Sequence, residues 1–278
     1  MEQQPQSYVT PQPVQPLQPI APPSPAGESA IGPEEVKKPV RIAAVGDIHV
    51  RETDKGKWVD FFKAASDQAD ILLLCGDLTD HGYAKEAEVL AEEMRACTIP
   101  VVCVLGNHDH DKDEHEEIRS CLMRDNVHFL DGDAVVIKNV GFAGVKGFGG
   151  GFDKYMLSMF GEVSNKAFVQ EAVDEALKLE AGLSRLDTEN PEVKKIAVLH
   201  YSPIRATVEG EPEAIHPFLG CSRLAEPLDR QNVLACFHGH AHIGTLEGET
   251  AKGIKVFNVA KPILQKAGFA MPFFLFDV

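Results

Sequence analysis

Ile71-Leu72-Leu73-Leu74-Cys75-Gly76-Asp77-Leu78-Thr79-Asp80 is a short apolar run that stops at a Gly-Asp step. With no polar side chain between Ile71 and Cys75, it reads as a strand buried on both faces, as parallel strands in α/β folds are. A carboxylate at the end of such a strand is held by a rigid element and points beyond the sheet edge. The same figure stands thirty positions earlier, where Arg41-Ile42-Ala43-Ala44-Val45 runs into Gly46-Asp47-Ile48-His49. It stands again thirty positions later, where Val101-Val102-Cys103-Val104-Leu105 runs into Gly106-Asn107-His108-Asp109. Packing alone does not explain three apolar strands that each end in glycine followed by a metal-type ligand.

The intervening segments have helical periodicity. Trp58, Phe61, Phe62 and Ala65 share one face, and over 83–96 Ala87, Leu90, Ala91 and Met94 share another. Strand–helix–strand repeats of this length imply parallel neighbours joined by right-handed crossovers. The ligand-bearing ends then lie on one edge, the C-terminal one, where open α/β sheets bind ligands.

A third helix is expected over 113–125, after which the rhythm changes. Ala134–Ile137 and Val140–Val145, separated by Lys138-Asn139, suggest an antiparallel pair. Gly147-Phe148-Gly149-Gly150-Gly151-Phe152 is a glycine-rich loop with neither a GxGxxG fingerprint nor a Walker lysine. It reads as a connector, or as a flexible loop whose Phe148 or Phe152 stacks on a substrate. A long helix over 165–183 turns Phe168, Ala172, Val173, Ala176, Leu177 and Leu179 inward. Residues 195–199 form a strand ending in His200, and 233–237 one ending in His238-Gly239-His240-Ala241-His242. Closing strands are expected at 254–259 and 273–276. The segment 201–230, with Pro203, Pro212, Pro217 and Pro227, reads as a lid or an oligomer contact.

Composition narrows the function classes. The 278-residue chain is 44% hydrophobic, enough for a sizeable core. A net charge of −15 and pI near 5.1 argue against a nucleic-acid groove. No run approaches the ~18 apolar residues of a membrane span. The six cysteines form no CxxC pair and read as reduced residues of a cytoplasmic protein. Residues 1–38, rich in Pro and Gln, are expected to be a disordered arm ahead of a folded domain over 39–278. The arm lacks the basic start and apolar block of a secretory signal, and is either a solvated tail or a Pro-rich ligand for an unknown partner.

The strand ends together offer Asp47, His49, Asp77, Asn107, His108, His200, His240 and His242. Imidazole, carboxylate and amide oxygen suit first-row divalent ions, and no thiolate is offered. The number of groups suits two ions, and a carboxylate such as Asp77 is able to bridge ions ~3.5–4 Å apart, the spacing of two-metal phosphate-ester hydrolysis.

Asp47-Ile48-His49, Gly76-Asp77-Leu78-Thr79-Asp80, Gly106-Asn107-His108-Asp109, His200 and Gly239-His240-Ala241-His242 resemble, in order, the five blocks of the calcineurin-like metallophosphoesterase superfamily. The resemblance implies an α/β fold, a four-layer αββα sandwich with two mixed β-sheets. It implies that Asp47, His49 and His242 hold one divalent ion (manganese, iron, zinc or similar), that Asn107, His200 and His240 hold another, and that Asp77 bridges them. His108 would protonate the leaving oxygen or steady the phosphoryl oxygens, with Asp109 holding its ring. A hydroxide shared by the metals would attack phosphorus in line. The substrate would be a small-molecule or phosphoprotein phosphate ester, cleaved by a phosphodiesterase or phosphatase.

Two alternatives stand beside that reading: a non-catalytic scaffold subunit and a cyclic-nucleotide phosphodiesterase. Bacterial members of the latter usually carry a second histidine and prolines where this chain has Tyr201-Ser202-Pro203 after His200. Asp80 is expected to support the centre as a hydrogen-bond acceptor. His81, His110 and His238 lie beside motif residues, His115, His128 and His216 are expected at the surface, and Arg205 and Arg223 are candidates for gripping phosphate.

Overall fold

The structure, a computed structural model, describes residues 38–278. The arm expected over 1–38 lies outside the described residues except for Lys38. From the first strand the chain runs β1 (Arg41–Val45), α1 (Val59–Gln68), β2 (Ile71–Cys75), α2 (Ala84–Glu93), β3 (Val101–Val104), α3 (His115–Leu122) and β4 (Val127–Phe129). A hairpin follows, β5 (Ala134–Ile137) and β6 (Val140–Val145), then α4 (Val163–Glu189) and β7 (Lys194–Leu199). Next come α5 (His216–Leu219), α6 (Ala225–Arg230), β8 (Ala235–His238), β9 (Glu247–Glu249) and β10 (Lys255–Asn258). The chain closes with α7 (Lys261–Lys266) and β11 (Phe274–Asp277).

These strands make two mixed sheets. One has the order β11-β1-β2-β3-β4, with β1 to β4 parallel and β11 antiparallel at its edge. The other has the order β5-β6-β7-β8-β10-β9, parallel from β6 to β10 and antiparallel at both edges. The hairpin at Lys138-Asn139 is as expected: Ile137 pairs with Val140, and both turn residues have positive φ (49° and 64°). That is the left-handed pair that matches the twist of a two-residue hairpin.

Alternation along the second sheet explains the layering. Phe142 of β6, Ile196 and Val198 of β7, Phe237 of β8 and Phe257 of β10 share one core with the apolar strands of the first sheet. Their neighbours Ala143, Val145, Ala197, Leu199, Cys236 and Val256 face the other way, into a core with Leu179 and Leu183 of α4 and Leu228 of α6. The first sheet is covered outside by Phe61, Phe62, Leu90, Ile118 and Leu122 from α1, α2 and α3. The result is the expected order helix, sheet, sheet, helix. At Gly144 a side-chain carbon would meet Val104 Cγ1 at 3.0 Å, so the two sheets approach closely where β6 carries no side chain.

Three expectations need adjusting. β4 went unnoticed in the sequence. The long helix buries Val169, Ala172, Glu175, Leu179, Leu183 and Leu186, while Leu177, expected inside, falls off that stripe and is 57% exposed. The glycine-rich loop spends its aromatics on packing: Phe152 is buried with Val208, Leu219 and Ala241, and Phe148 lies against Phe168 and Tyr201.

Candidate metal centre

Each candidate ligand follows directly on a strand. Asp47 and His49 come after β1, Asp77 after β2, Asn107 and His108 after β3, His200 after β7, and His240 and His242 after β8. The parallel order therefore delivers both sheets' ligands to one edge. The side chains meet there: His242 Nε2 donates to Asp47 Oδ1 at 2.8 Å, and the His240 backbone N–H donates to both Asp47 oxygens. His200 Nε2 lies 2.9 Å from Asn107 Oδ1 and 3.3 Å from Asp77 Oδ1. His49 Nε2 lies 3.7 Å from Asp77 Oδ2.

The backbone is bent to achieve this. Asp47, His49, Asp77 and His240 all have positive φ, between 47° and 69°. Non-glycine residues hold such angles at some cost, and they do so where the surroundings over-determine them, often at functional sites. Gly76 precedes Asp77 at φ 80°, and a side-chain carbon there would meet His200 Nδ1 at 2.5 Å. The glycine of this block thus makes room for a histidine arriving from the other sheet.

Ligand atoms of three overlapping groups lie within 4.8 Å of one another: Asp47, His49 and His242; His49, Asp77 and His108; and Asp77, His200 and His240. Two observations fit a cation among them. Both ring nitrogens of His49 are buried without a hydrogen-bond partner, which a native site rarely tolerates unless something else occupies them. His200 Nδ1 donates to the Cys75 carbonyl at 2.9 Å, so its Nε2 presents a lone pair toward the Asn107 amide oxygen, one acceptor facing another. Fixing the tautomer through Nδ1 is how proteins prepare Nε2 for a metal.

Electrostatics agree. Burial raises the pKa of the Asp77 carboxyl well above the usual carboxylate range, and the neighbouring Asp47 and Asp109 add to it. Burial opposes ionisation of Asp47 as well, but the hydrogen bond from His242 helps hold its pKa below the usual range. Burial depresses His49 to about 4 and takes His200 well below its usual value, so both rings are neutral. Neutral imidazoles around crowded carboxylates lack positive charge, and a divalent ion would supply it.

The remaining expectations divide. Asp80 accepts from Arg51 Nε at 2.7 Å, while its other oxygen stands 3.4 Å from His49 Nδ1 without forming a hydrogen bond to it. Asp109 does not reach the His108 ring. Its buried carboxylate accepts from the backbone N–H groups of Leu78, Thr79 and Gly106 and from the Thr79 hydroxyl, tying the β2 and β3 loops together. The His108 ring is held instead by the Asp80 carbonyl, 2.6 Å from Nδ1. His81 bonds Glu86, and His110 stacks on His115 at 4.4 Å. Arg223 donates to the Leu157 carbonyl, and Arg205 lines a separate cavity of about 360 Å³ with Phe152, Tyr155 and His216. Tyr201, 8% exposed, packs on the His240 ring at 4.3 Å, a role no motif announced.

His238 is fully buried between the Thr207 hydroxyl and the Gly239 carbonyl, and burial lowers its pKa to about 4. Folded protein therefore binds fewer protons here than unfolded protein, whose histidine titrates near ~6.5. The stability is fully present above the unfolded value and is lost as the pH falls toward about 4. By pH 5 this residue alone should cost about 2 kcal/mol. Urea unfolding at pH 7 and pH 5 checks this, and a His238→Asn variant should shrink the difference by about that amount.

A family model described as calcineurin-like phosphoesterase matches residues 40–244. The chain is 22% identical over 215 residues to a probable glycerophosphodiester phosphodiesterase GpdQ of Arcobacter nitrofigilis, covering 72% of this chain and 71% of that one. Among solved structures, phosphopantetheinyl hydrolase (PptH) from Mycobacterium tuberculosis superposes with a TM-score of 0.60 at 15% identity, over 87% of this chain and 97% of that one. GAP50, the anchor in the inner membrane complex of Plasmodium, superposes with a TM-score of 0.51 at 12% identity, over 81% and 73%.

Proposed function

The chain belongs to the calcineurin-like phosphoesterase family and is a hydrolase of phosphoric esters, and from that premise we propose that it is a two-metal phosphodiesterase. In this reading Asp47, His49 and His242 hold one divalent ion, manganese being a suitable one. Asn107, His200 and His240 hold the other, and Asp77 lies between the two. The observation that carries it is the overlap of the ligand groups: Asp77 is shared by two of them and His49 by two, with both His49 nitrogens otherwise unpartnered.

Bound divalent ions would supply Lewis acidity, lowering the pKa of a water and neutralising phosphoryl oxygens. The chain's own residues do the rest. His108, held through Nδ1 by the Asp80 carbonyl, turns Nε2 toward the centre, 4.0 Å from Asp77 Oδ2. Its side chain is 37% exposed, and in the imidazolium form, with Nδ1–H donating to the Asp80 carbonyl, Nε2–H is positioned to give a proton to the leaving oxygen, leaving a neutral ring. Asp109 braces the loops that carry Asp77 and His108. A cysteine nucleophile has no support: Cys75, beside the centre, is fully buried, and burial raises its pKa well above the usual thiol range.

The diester preference follows the curated relative, which acts on glycerophosphodiesters by its description. All six cysteines are free, which supports a reducing compartment such as the cytoplasm. The catalytic domain spans 39–278. Metal-loaded protein is expected to carry two equivalents of Mn²⁺ and to cleave bis(p-nitrophenyl) phosphate faster than p-nitrophenyl phosphate. One equivalent would overturn the two-metal assignment, and inertness toward both esters would favour a scaffold on the same fold.

A further inference from the structure

A second cavity adjoins the metal centre and has no part in the chemistry above. It is an open cleft of about 490 Å³, and His49 forms part of its wall together with Trp58, Phe61 and Lys261. Trp58 is firmly seated: its backbone N–H donates to Glu93 Oε2 at 2.9 Å, and its ring meets Phe61 edge-on at 5.4 Å. Lys261 opens α7, with Nζ 5.0 Å from the Trp58 ring centroid and donating to the Ile48 carbonyl at 2.8 Å.

The charges around the cavity differ in one respect. Arg51 is paired with Asp80 at 2.7 Å and Lys57 with Asp54 at 2.6 Å. Asp60, at the rim, is exposed. Lys261 is half-buried, and among the described residues no carboxylate lies within ion-pair distance of it. An ammonium has three donors, so two remain for a ligand.

We propose that this cavity receives one arm of the phosphodiester, and that Lys261 with Trp58 selects an acidic arm over a cationic one. The inference rests on the hydrolase reading, because only phosphorus held at the metal centre brings an arm past His49. A carboxylate or phosphate on that arm meets the free donors of Lys261, and its carbon chain covers the Trp58 and Phe61 rings. A quaternary ammonium would ordinarily be drawn to an aromatic face. Here Lys261 Nζ already lies over Trp58, and like charge repels it.

The test is a series of methyl phosphodiesters whose second arm is ethyl, 2-carboxyethyl, 2-phosphonoethyl or 2-(trimethylammonio)ethyl, followed by phosphorus NMR with Mn²⁺-loaded protein. The acidic arms are expected to exceed the ammonium arm in kcat/KM by about tenfold, which is ~1.4 kcal/mol, with ethyl between them. The better of the two acidic arms identifies the group. Lys261→Met should erase the ordering. Trp58 is the chain's single tryptophan, so its fluorescence reports occupancy without turnover. It should change saturably with the acidic diesters and not with the ammonium one. A flat or reversed ordering, an ordering that survives Lys261→Met, or fluorescence that is silent or responds alike to all arms would overturn the proposal. Protein inert to the whole series would overturn the hydrolase reading, and the Trp58 titration would still decide the cavity.

Discussion

Asp77→Asn is expected to remove most turnover while leaving the metal-free fold about as stable as the parent. Asp77 is 1% exposed, and Asp47 and Asp109 crowd it, so without a cation its neutral form is favoured. An asparagine copies that neutral form. Its amide oxygen can still accept the His108 backbone N–H, now bonded to Asp77 Oδ1 at 2.9 Å. With metal present the comparison reverses, because the variant lacks the charge shared by two ligand groups. Changes to the partners that merely orient metal ligands already cost ~10–100-fold. Loss of a shared ligand should therefore cost at least about 100-fold in kcat/KM at limiting Mn²⁺. Melting with and without chelator separates the two effects. Saturating metal stabilises a protein by about 2.7 kcal/mol at a hundred times its Kd; the parent should show a gain of that kind, and the variant little of it. Near-parent turnover at low metal would rule out the shared position, and a metal-free variant melting far below the parent would show that the carboxylate is structural.

The parts of this molecule that were legible in the sequence are those governed by local pattern. Uninterrupted apolar runs such as Ile71–Cys75 identify strands covered on both faces, and the helices between them force parallel order and a common edge. From there Asp47, Asp77 and Asn107 have to be neighbours. Lys138-Asn139 between two apolar runs announced its hairpin in the same way.

Features that depend on the far side of the fold were not legible. β4 is a three-residue strand whose pairing with β3 supplies what its own sequence lacks. The positive φ values of Asp47, His49, Asp77 and His240 arise because ligands from two sheets must converge, and nothing in a non-glycine residue signals that. Asp109 adjoins His108 in the chain, yet its carboxylate turns toward the β2 loop, where two N–H groups and a hydroxyl satisfy it together with the Gly106 N–H of its own loop. Adjacency in sequence gave no hint that a backbone carbonyl from Asp80 would hold the His108 ring. Lys261 escaped notice because only tertiary packing brings it beside His49, and the packing of Tyr201 on His240 likewise depends on a partner from another strand.

His108→Ala is expected to slow cleavage of an alkyl diester by about 10²–10⁴-fold, the range for a lost general acid, with metal content unchanged. The competing possibility is concrete: His49, Asp77 and His108 themselves form a group close enough to hold an ion. Geometry favours the acid. His108 is held through Nδ1 by the Asp80 carbonyl with Nε2 standing 4.0 Å from Asp77 Oδ2, whereas Nε2 of His200, assigned as a ligand, lies 3.3 Å from Asp77 Oδ1. Leaving-group dependence distinguishes the roles. A departing alkoxide needs a proton, while p-nitrophenolate leaves well without one. The variant should therefore lose far more activity toward a methyl ethyl diester than toward bis(p-nitrophenyl) phosphate. An equal loss with both substrates would assign His108 to charge stabilisation rather than proton transfer. Loss of one metal equivalent would make it a ligand and shift the second ion toward His49, on the side of the centre that opens into the Trp58 cavity.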